Sequence, residues 1–395
     1  MSPPSLDQYD WWRNMAPMLG KMLYDAKYSL CQQFEHLYLF GTHIIPMLGP
    51  FPTSRPGLYK CILGGLGPLE FSQNWTKQQA TVRIAFEPTS AAASTGDDPC
   101  NRLMINEALN RLKQLRPQVD LQLYHQLITS LTVTDEEQHY LSSRHELDSQ
   151  PSKTQTILAL DLKGSDLSVK LYFYPLVKCA ATGTPISQLA FSAIRKVDDG
   201  GVFRSPLAMI EDFLSGAPST TSVCFVSCDL VAPSKTRFKL YVAEFQVDFA
   251  RISDIWTLGG RLGDEETLTG LSMLRELWGS LGIPEGLRSF PERPTQAGDS
   301  ADKVALLFNL EIQPHKSLPQ PKAYLPLTGI NDEVIARTIT HIFEKWGWSE
   351  HSKSYTENLE SYRPEIDLKR STDFQAWLSF SYSKITGPYL TIYYH

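Results

Sequence analysis

Between Val169 and Tyr174 the chain alternates in kind: Lys170, Tyr172 and Tyr174 take turns with Val169, Leu171 and Phe173. The alternation returns at Arg237, Lys239 and Tyr241 against Phe238, Leu240 and Val242, and in shortened form at Lys322 and Tyr324. Tyr389, Thr391 and Tyr393 stand opposite Leu390 and Ile392, and Arg83 stands opposite Val82, Ile84 and Phe86. Residues two apart in a strand share a face, so these runs predict strand faces that carry cation-x-tyrosine rows. The rows themselves contain no Asp or Glu. If they turn inward, the buried cations need an anion from elsewhere, because unpaired buried charge is costly. A polyanionic ligand meets that need. Phenol hydroxyls donate hydrogen bonds to phosphate oxygens, while tyrosine ring faces stabilise a nearby carbocation by ~2 kcal/mol or more once water is gone. Phosphate and carbocation together point to an allylic diphosphate, whose C–O cleavage requires cationic clamps for pyrophosphate and a dry aromatic wall.

The remaining composition narrows the classes. The chain has 395 residues, 42% hydrophobic and 20% charged, and a net charge of -6. That sum disfavours a nucleic-acid binder, whose affinity comes from neutralising phosphates over a wide surface. Apolar runs such as Leu37 to Phe40 fall far short of the ~18 residues a membrane helix needs, and Met1 to Trp12 has no charged-then-apolar leader. Six sparse cysteines, with Cys224 and Cys228 on one strand face, suit buried thiols in a reducing cytosol, so a cytoplasmic location is expected. There is no phosphate loop, dinucleotide fingerprint, nucleophile elbow or His-Glu-x-x-His. Asp97-Asp98 and Asp198-Asp199 stand alone rather than in an Asp-rich magnesium motif, so basic side chains replace the metal and neither metal nor cofactor is expected. The nine histidines form no cluster, and His125, His139 and His145 read as solvated.

These rows need a framework. Pro88 to Asn101, Ser142 to Thr154, Ile283 to Asp302 and Gln313 to Pro321 read as loops. Between them helices are expected over Trp11 to Leu48 with a break at Gly41, Asn101 to Leu115, Pro206 to Leu214, Glu265 to Leu281 capped by Asp264, and Asp332 to Trp346. Strands are expected over Lys60 to Glu87, Thr156 to Pro175 with a turn at Lys163-Gly164, Ser222 to Val231, Arg237 to Phe249, Lys303 to Ile312, Lys322 to Leu327, Ala376 to Tyr382 and Tyr389 to Tyr394. A helices-then-hairpin unit used about five times gives antiparallel strands. Closure would remove the sheet's edges and put the helices outside. The expected fold is a single α/β domain over 1–395: an antiparallel barrel of about ten strands with the active site in its interior.

The motifs resemble the fungal indole prenyltransferases, the dimethylallyl-tryptophan-synthase family with the ABBA (α-β-β-α) barrel. The resemblance spans nearly the whole chain. It rests on Gly67-Pro68-Leu69-Glu70-Phe71-Ser72, Val82-Arg83-Ile84, Val169-Lys170-Leu171-Tyr172, Arg237-Phe238-Lys239-Leu240-Tyr241, Pro321-Lys322-Ala323-Tyr324, Thr391-Ile392-Tyr393 and Asp254 to Gly260. It implies that Glu70 hydrogen-bonds an indole N–H as the catalytic carboxylate. Arg83, Lys170, Tyr172, Arg237, Lys239, Tyr241, Lys322, Tyr324, Tyr389 and Tyr393 would then bind and shield the diphosphate. Trp377 stands at a position often tyrosine in the shield, where it would either face the cation or pack in the core. The overall similarity is closest to cyclic-dipeptide members, so the implied partners are dimethylallyl diphosphate and a tryptophan-containing cyclic dipeptide such as cyclo-Trp-Pro (brevianamide F), reverse prenylation at indole carbon 2 included. The protein would act as a monomer or homodimer. Lys322, where tryptophan-prenylating relatives often carry Gln, speaks against tryptophan itself. Free tryptophan, another aromatic acceptor, and a non-catalytic isoprenoid diphosphate carrier stay open as alternatives.

Overall fold

Each alternating run forms a strand. In the computed structural model, which describes residues 5–52, 61–288 and 304–395, these are Leu69–Trp75 (β1), Ala80–Phe86 (β2), Thr156–Lys163 (β3), Asp166–Phe173 (β4), Thr221–Asp229 (β5), Phe238–Glu244 (β6), Gln246–Val247 (β7), Gly286–Leu287 (β8), Leu306–Ile312 (β9), Gln320–Pro326 (β10), Gln375–Ser383 (β11) and Gly387–Tyr394 (β12). Strands β7 and β8 pair with each other, and the other ten close in the order β1-β12-β11-β10-β9-β6-β5-β4-β3-β2. Every pairing is antiparallel. Five hairpins supply the ten strands, as the repeated unit predicts. Pairing of β1 with β12 removes the last edge.

Alternation decides which face each residue takes. Leu158, Leu171, Leu240, Phe308, Phe380 and Ile392 point outward and are fully buried beneath helices. Each contributes roughly 1.5–3 kcal/mol through burial. The covering layer comprises Leu6–Asp25 (α1), Leu30–Leu39 (α2), Ala91–Thr95 (α3), Met104–Leu115 (α4), Gln122–Leu131 (α5), Asp135–Ser143 (α6), Leu176–Thr182 (α7), Ile186–Val197 (α8), Arg204–Ser215 (α9), Phe249–Trp256 (α10), Glu265–Leu281 (α11), Asp332–Lys345 (α12) and Ser349–Tyr362 (α13). Asp264 caps α11 as expected, accepting from the Thr267 amide. Gly270 lets that helix approach the barrel: a Cβ there would lie 2.8 Å from Trp256 and 3.0 Å from Tyr382. No helix among the described residues is long and apolar enough to cross a membrane.

The elements depart from expectation in instructive places. The first helical stretch does break near Gly41, in a π-helical turn over Phe40–Ile44. There a Cβ on Gly41 would come within 2.7 Å of the Trp12 ring. The strand expected to reach Phe249 stops at Glu244, because Asp248 caps α10. The strand expected from Lys60 begins at Leu69, after turns containing Gly64, Gly65 and Gly67 at positive φ; Lys60 itself and Lys303 lie outside the described residues. The loop expected at Pro88 to Asn101 contains the short helix α3. Helix α13 escapes the apolar pattern because tyrosines make its buried face, with Tyr355, Leu359 and Tyr362 buried amid Ser, Glu and Lys.

Candidate active site

The inward faces of the barrel stack in layers along its axis. In the middle Tyr172, Tyr241, Tyr324 and Tyr393 form a ring, with neighbouring centroids 5.7, 6.0 and 6.0 Å apart. Trp377 joins them. A bulge between Gln375 and Trp377 in β11 sets that indole opposite Tyr393, so it faces the interior rather than the outer core. One step along β4, β6 and β10 lie Lys170, Lys239 and Lys322, and Arg237 precedes β6 at the far end. Arg83 reaches across from β2, its Nη1 3.4 Å from the Tyr393 hydroxyl. The Asn309 amide donates to the Tyr324 hydroxyl at 3.0 Å. Tyr389 lies under Lys322, whose Nζ is 4.6 Å above its ring centroid.

The basic layer carries its own counterions, which corrects the expectation of cations balanced only by a ligand. Asp161 on β3 binds Arg83 Nε at 2.5 Å and pairs through its other oxygen with Lys170. Asp229, ending β5, holds Arg237 at 2.6 Å, and Glu311 on β9 lies 3.3 Å from the same guanidinium. Lys239 Nζ stands 3.6 Å from Asp229 and 3.7 Å from Glu311 without a hydrogen bond to either. Lys322 has no carboxylate partner among the described residues; its Nζ donates to Thr391 Oγ1 at 3.5 Å. Basic charge therefore exceeds acidic charge, five groups to three.

Burial and neighbours set the protonation. Desolvation would raise Asp161, but Arg83 and Lys170 outweigh it and hold the carboxyl well below its ordinary range. Asp229 and Glu311 are lowered in the same way, each against its own desolvation, by Lys239 and Arg237. Desolvation and the adjacent Arg83 bring Lys170 down to about 7, although Asp161 pulls upward. Burial, then Arg83 and Lys170, push Lys322 well below the ordinary lysine range. Burial also raises Tyr172 and Tyr324 well above the ordinary phenol value and Tyr393 to about 12, so these hydroxyls stay protonated donors at neutral pH.

On the other side of the tyrosine ring opens a cavity of about 450 Å³. Its walls are mostly apolar, with Leu63, Ile157, Leu176, Ile186, Val223 and Leu306 among them, and Glu70 projects into it from β1. Glu70 is 9% exposed, and its Oε2 lies 3.3 Å from Nε2 of His395. Arg83, Tyr172, Tyr241, Tyr324, Trp377 and Tyr393 also line this cavity, whereas Lys170, Arg237, Lys239, Lys322 and Tyr389 lie beyond the ring. The site is thus a basic layer and an apolar chamber, joined through aromatic rings.

Residues 7–358 match the sequence profile of the tryptophan dimethylallyltransferases. The roquefortine prenyltransferase roqD of Penicillium rubens is 47% identical over 100% of this chain and 93% of its own length. Among solved structures, AnaPT from Neosartorya fischeri superposes with a TM-score of 0.89 at 32% identity, covering 100% of this chain and 95% of that one. NotF in complex with brevianamide F and DMSPP gives 0.86 at 32% identity, covering 99% and 95%. This chain belongs to the tryptophan dimethylallyltransferase family. As a family member it is a prenyltransferase with the ABBA barrel, which removes the non-catalytic carrier from the alternatives.

Two features of this dimethylallyltransferase escape the alternating-row reading. Asp161, Asp229 and Glu311 sit on strands neighbouring the basic rows rather than within them. The pairings of Arg83 with Asp161, Lys170 with Asp229 and Lys239 with Glu311 set each acid directly opposite a cation. The single charge in the apolar run Thr156 to Leu162 was the available signal for Asp161. His395 lies one period past Tyr393 and gives no signal until the β1–β12 register is known.

Proposed function

We propose that this prenyltransferase moves the dimethylallyl group of dimethylallyl diphosphate to an indole carbon of a tryptophan-containing cyclic dipeptide. The observation that carries this reading is the tyrosine ring between a basic layer and an apolar chamber bearing one carboxylate. Arg83, Lys170, Arg237, Lys239 and Lys322 take the diphosphate, replacing a divalent cation as pyrophosphate departs. Tyr172, Tyr241, Tyr324, Tyr389 and Tyr393 donate to its oxygens or turn ring faces to the allylic cation, with Trp377 completing the wall. Indole gathers positive charge on nitrogen as it attacks, so Glu70 accepting from the N–H stabilises the transition state more than the ground state.

The acceptor's charge selects among indoles. Free tryptophan is a zwitterion, and its ammonium and carboxylate each need a partner on leaving water. The only ionic side chains lining the apolar chamber, among the described residues, are Glu70, His395 and Arg83, and Arg83 is already held by Asp161. A cyclic dipeptide has neither terminal charge and matches walls of Leu, Ile and Val. The relative solved with brevianamide F supports the same choice. All six cysteines are free thiols, which supports a cytoplasmic location. The test is mass spectrometry on a panel of tryptophan cyclic dipeptides and free tryptophan with dimethylallyl diphosphate, with NMR reporting the alkylated carbon. Prenylated cyclic dipeptide in excess over prenylated tryptophan is expected, and the reverse preference overturns the assignment.

A further inference from the structure

Phe71 faces Tyr394 and Ser72 faces Tyr393 across β1 and β12. In an antiparallel ladder the next rung therefore sets Glu70 opposite His395. His395 also continues the inward row of Tyr389, Thr391 and Tyr393 by period two. Two contacts hold it there. Its amide donates to the Phe374 carbonyl at 3.0 Å. The turn at Gly65 lies against its other side, so close that a Cβ on Gly65 would come 3.1 Å from His395 Cα and Cβ and 3.2 Å from Cγ. The imidazole side chain is 5% exposed, and its Nε2 is the only hydrogen-bond partner of the Glu70 carboxylate among the described residues.

We propose that His395 is a positioning residue for the acceptor: its Nε2–H donates to Glu70 Oε2, fixes the rotation of that carboxylate, and leaves Oε1 for the indole N–H. This rests on Glu70 being the carboxylate that meets the acceptor. A glutamate alone on an apolar wall would turn about its side-chain bonds, and each misplaced orientation costs rate, because the stabilising oxygen must already be in place as charge develops. His395 removes that freedom without touching the substrate.

Steady-state kinetics with a tryptophan cyclic dipeptide and saturating dimethylallyl diphosphate test this on four variants: His395→Phe, His395→Gln, Glu70→Gln and the Glu70→Gln/His395→Phe double variant. Thermal melts check folding, and calorimetry with dimethylallyl thiolodiphosphate checks the basic layer. His395→Phe should lower kcat about 10–100-fold with analogue affinity within about twofold of wild type, while His395→Gln, which keeps a donor, stays within about threefold. The double variant should be no slower than Glu70→Gln, since His395 acts through Glu70. Near-normal turnover in His395→Phe, or losses that multiply in the double variant, would overturn the proposal. If His395→Phe does not fold, His395→Gln decides, and a folded Gln variant more than about tenfold slower overturns it. Normal turnover in Glu70→Gln would remove the underlying reading of Glu70, whereas a slow Glu70→Gln beside a normal His395→Phe would remove only the role of His395.

Discussion

Diphosphate binding should draw protons into the barrel. The carboxylates Asp161, Asp229 and Glu311 balance Arg83, Arg237 and Lys239, leaving Lys170, brought down to about 7, and Lys322, pushed well below its ordinary range, as the excess. At pH 8 Lys170 is then largely neutral in the free enzyme. A diphosphate is fully ionised at that pH, since its last proton leaves near ~6, and it raises Lys170 on binding. About one proton should be taken up by Lys170 per ligand bound. Because the complex holds more protons than the free enzyme, affinity must fall as pH rises, by up to about 10-fold per pH unit above neutrality. Below pH ~7 Lys170 is already charged and its share of the dependence disappears. Calorimetric titration of dimethylallyl thiolodiphosphate at pH 8 in HEPES and in Tris measures this directly, as the slope of observed enthalpy against buffer ionisation enthalpy. Lys170→Met should reduce that slope by about one proton. A zero slope in the wild type, with affinity flat from pH 7.5 to 8.5, would refute the charge balance.

Three further outcomes follow from the same layers. Glu70→Gln should keep the fold and analogue affinity while lowering turnover roughly 10²–10⁴-fold, measured by product formation at saturating substrates. Lys239→Ala removes a charge-assisted contact worth ~1.5–3 kcal/mol, so calorimetry should find the analogue bound about 10–100-fold more weakly; unchanged affinity in the folded variant would place Lys239 outside the site. Activity should survive excess EDTA, and loss with chelator that magnesium restores would show that basic side chains alone do not manage the pyrophosphate.

The barrel was legible because period two runs through strand after strand, and one reading of Val169 to Tyr174 assigns both faces at once. Inward cations such as Lys170 and Lys239 and the ring tyrosines Tyr172, Tyr241, Tyr324 and Tyr393 came with it. Pairing is a different kind of information. Asp229 faces Lys170 from a strand about sixty residues on, and nothing local to either residue states that they meet. Glu70 and His395 are separated by almost the whole chain and meet only because the barrel closes between β1 and β12. Trp377 turned on a one-residue bulge, since strict alternation cannot tell the shield from the core when the register slips. Helix α13 stays hidden because it buries tyrosines, whose polar tips mask an apolar face.

The most direct measurement is a crystal structure of the ternary complex with dimethylallyl thiolodiphosphate and a tryptophan cyclic dipeptide. Phosphate oxygens should be bound by Arg83, Lys170, Lys239 and Lys322, the allyl chain should pass within the ring of Tyr172, Tyr241, Tyr324 and Tyr393, and the indole N–H should lie on Glu70 in the apolar chamber. A diphosphate bound outside the basic layer, or an indole whose nitrogen points away from Glu70, would contradict this assignment.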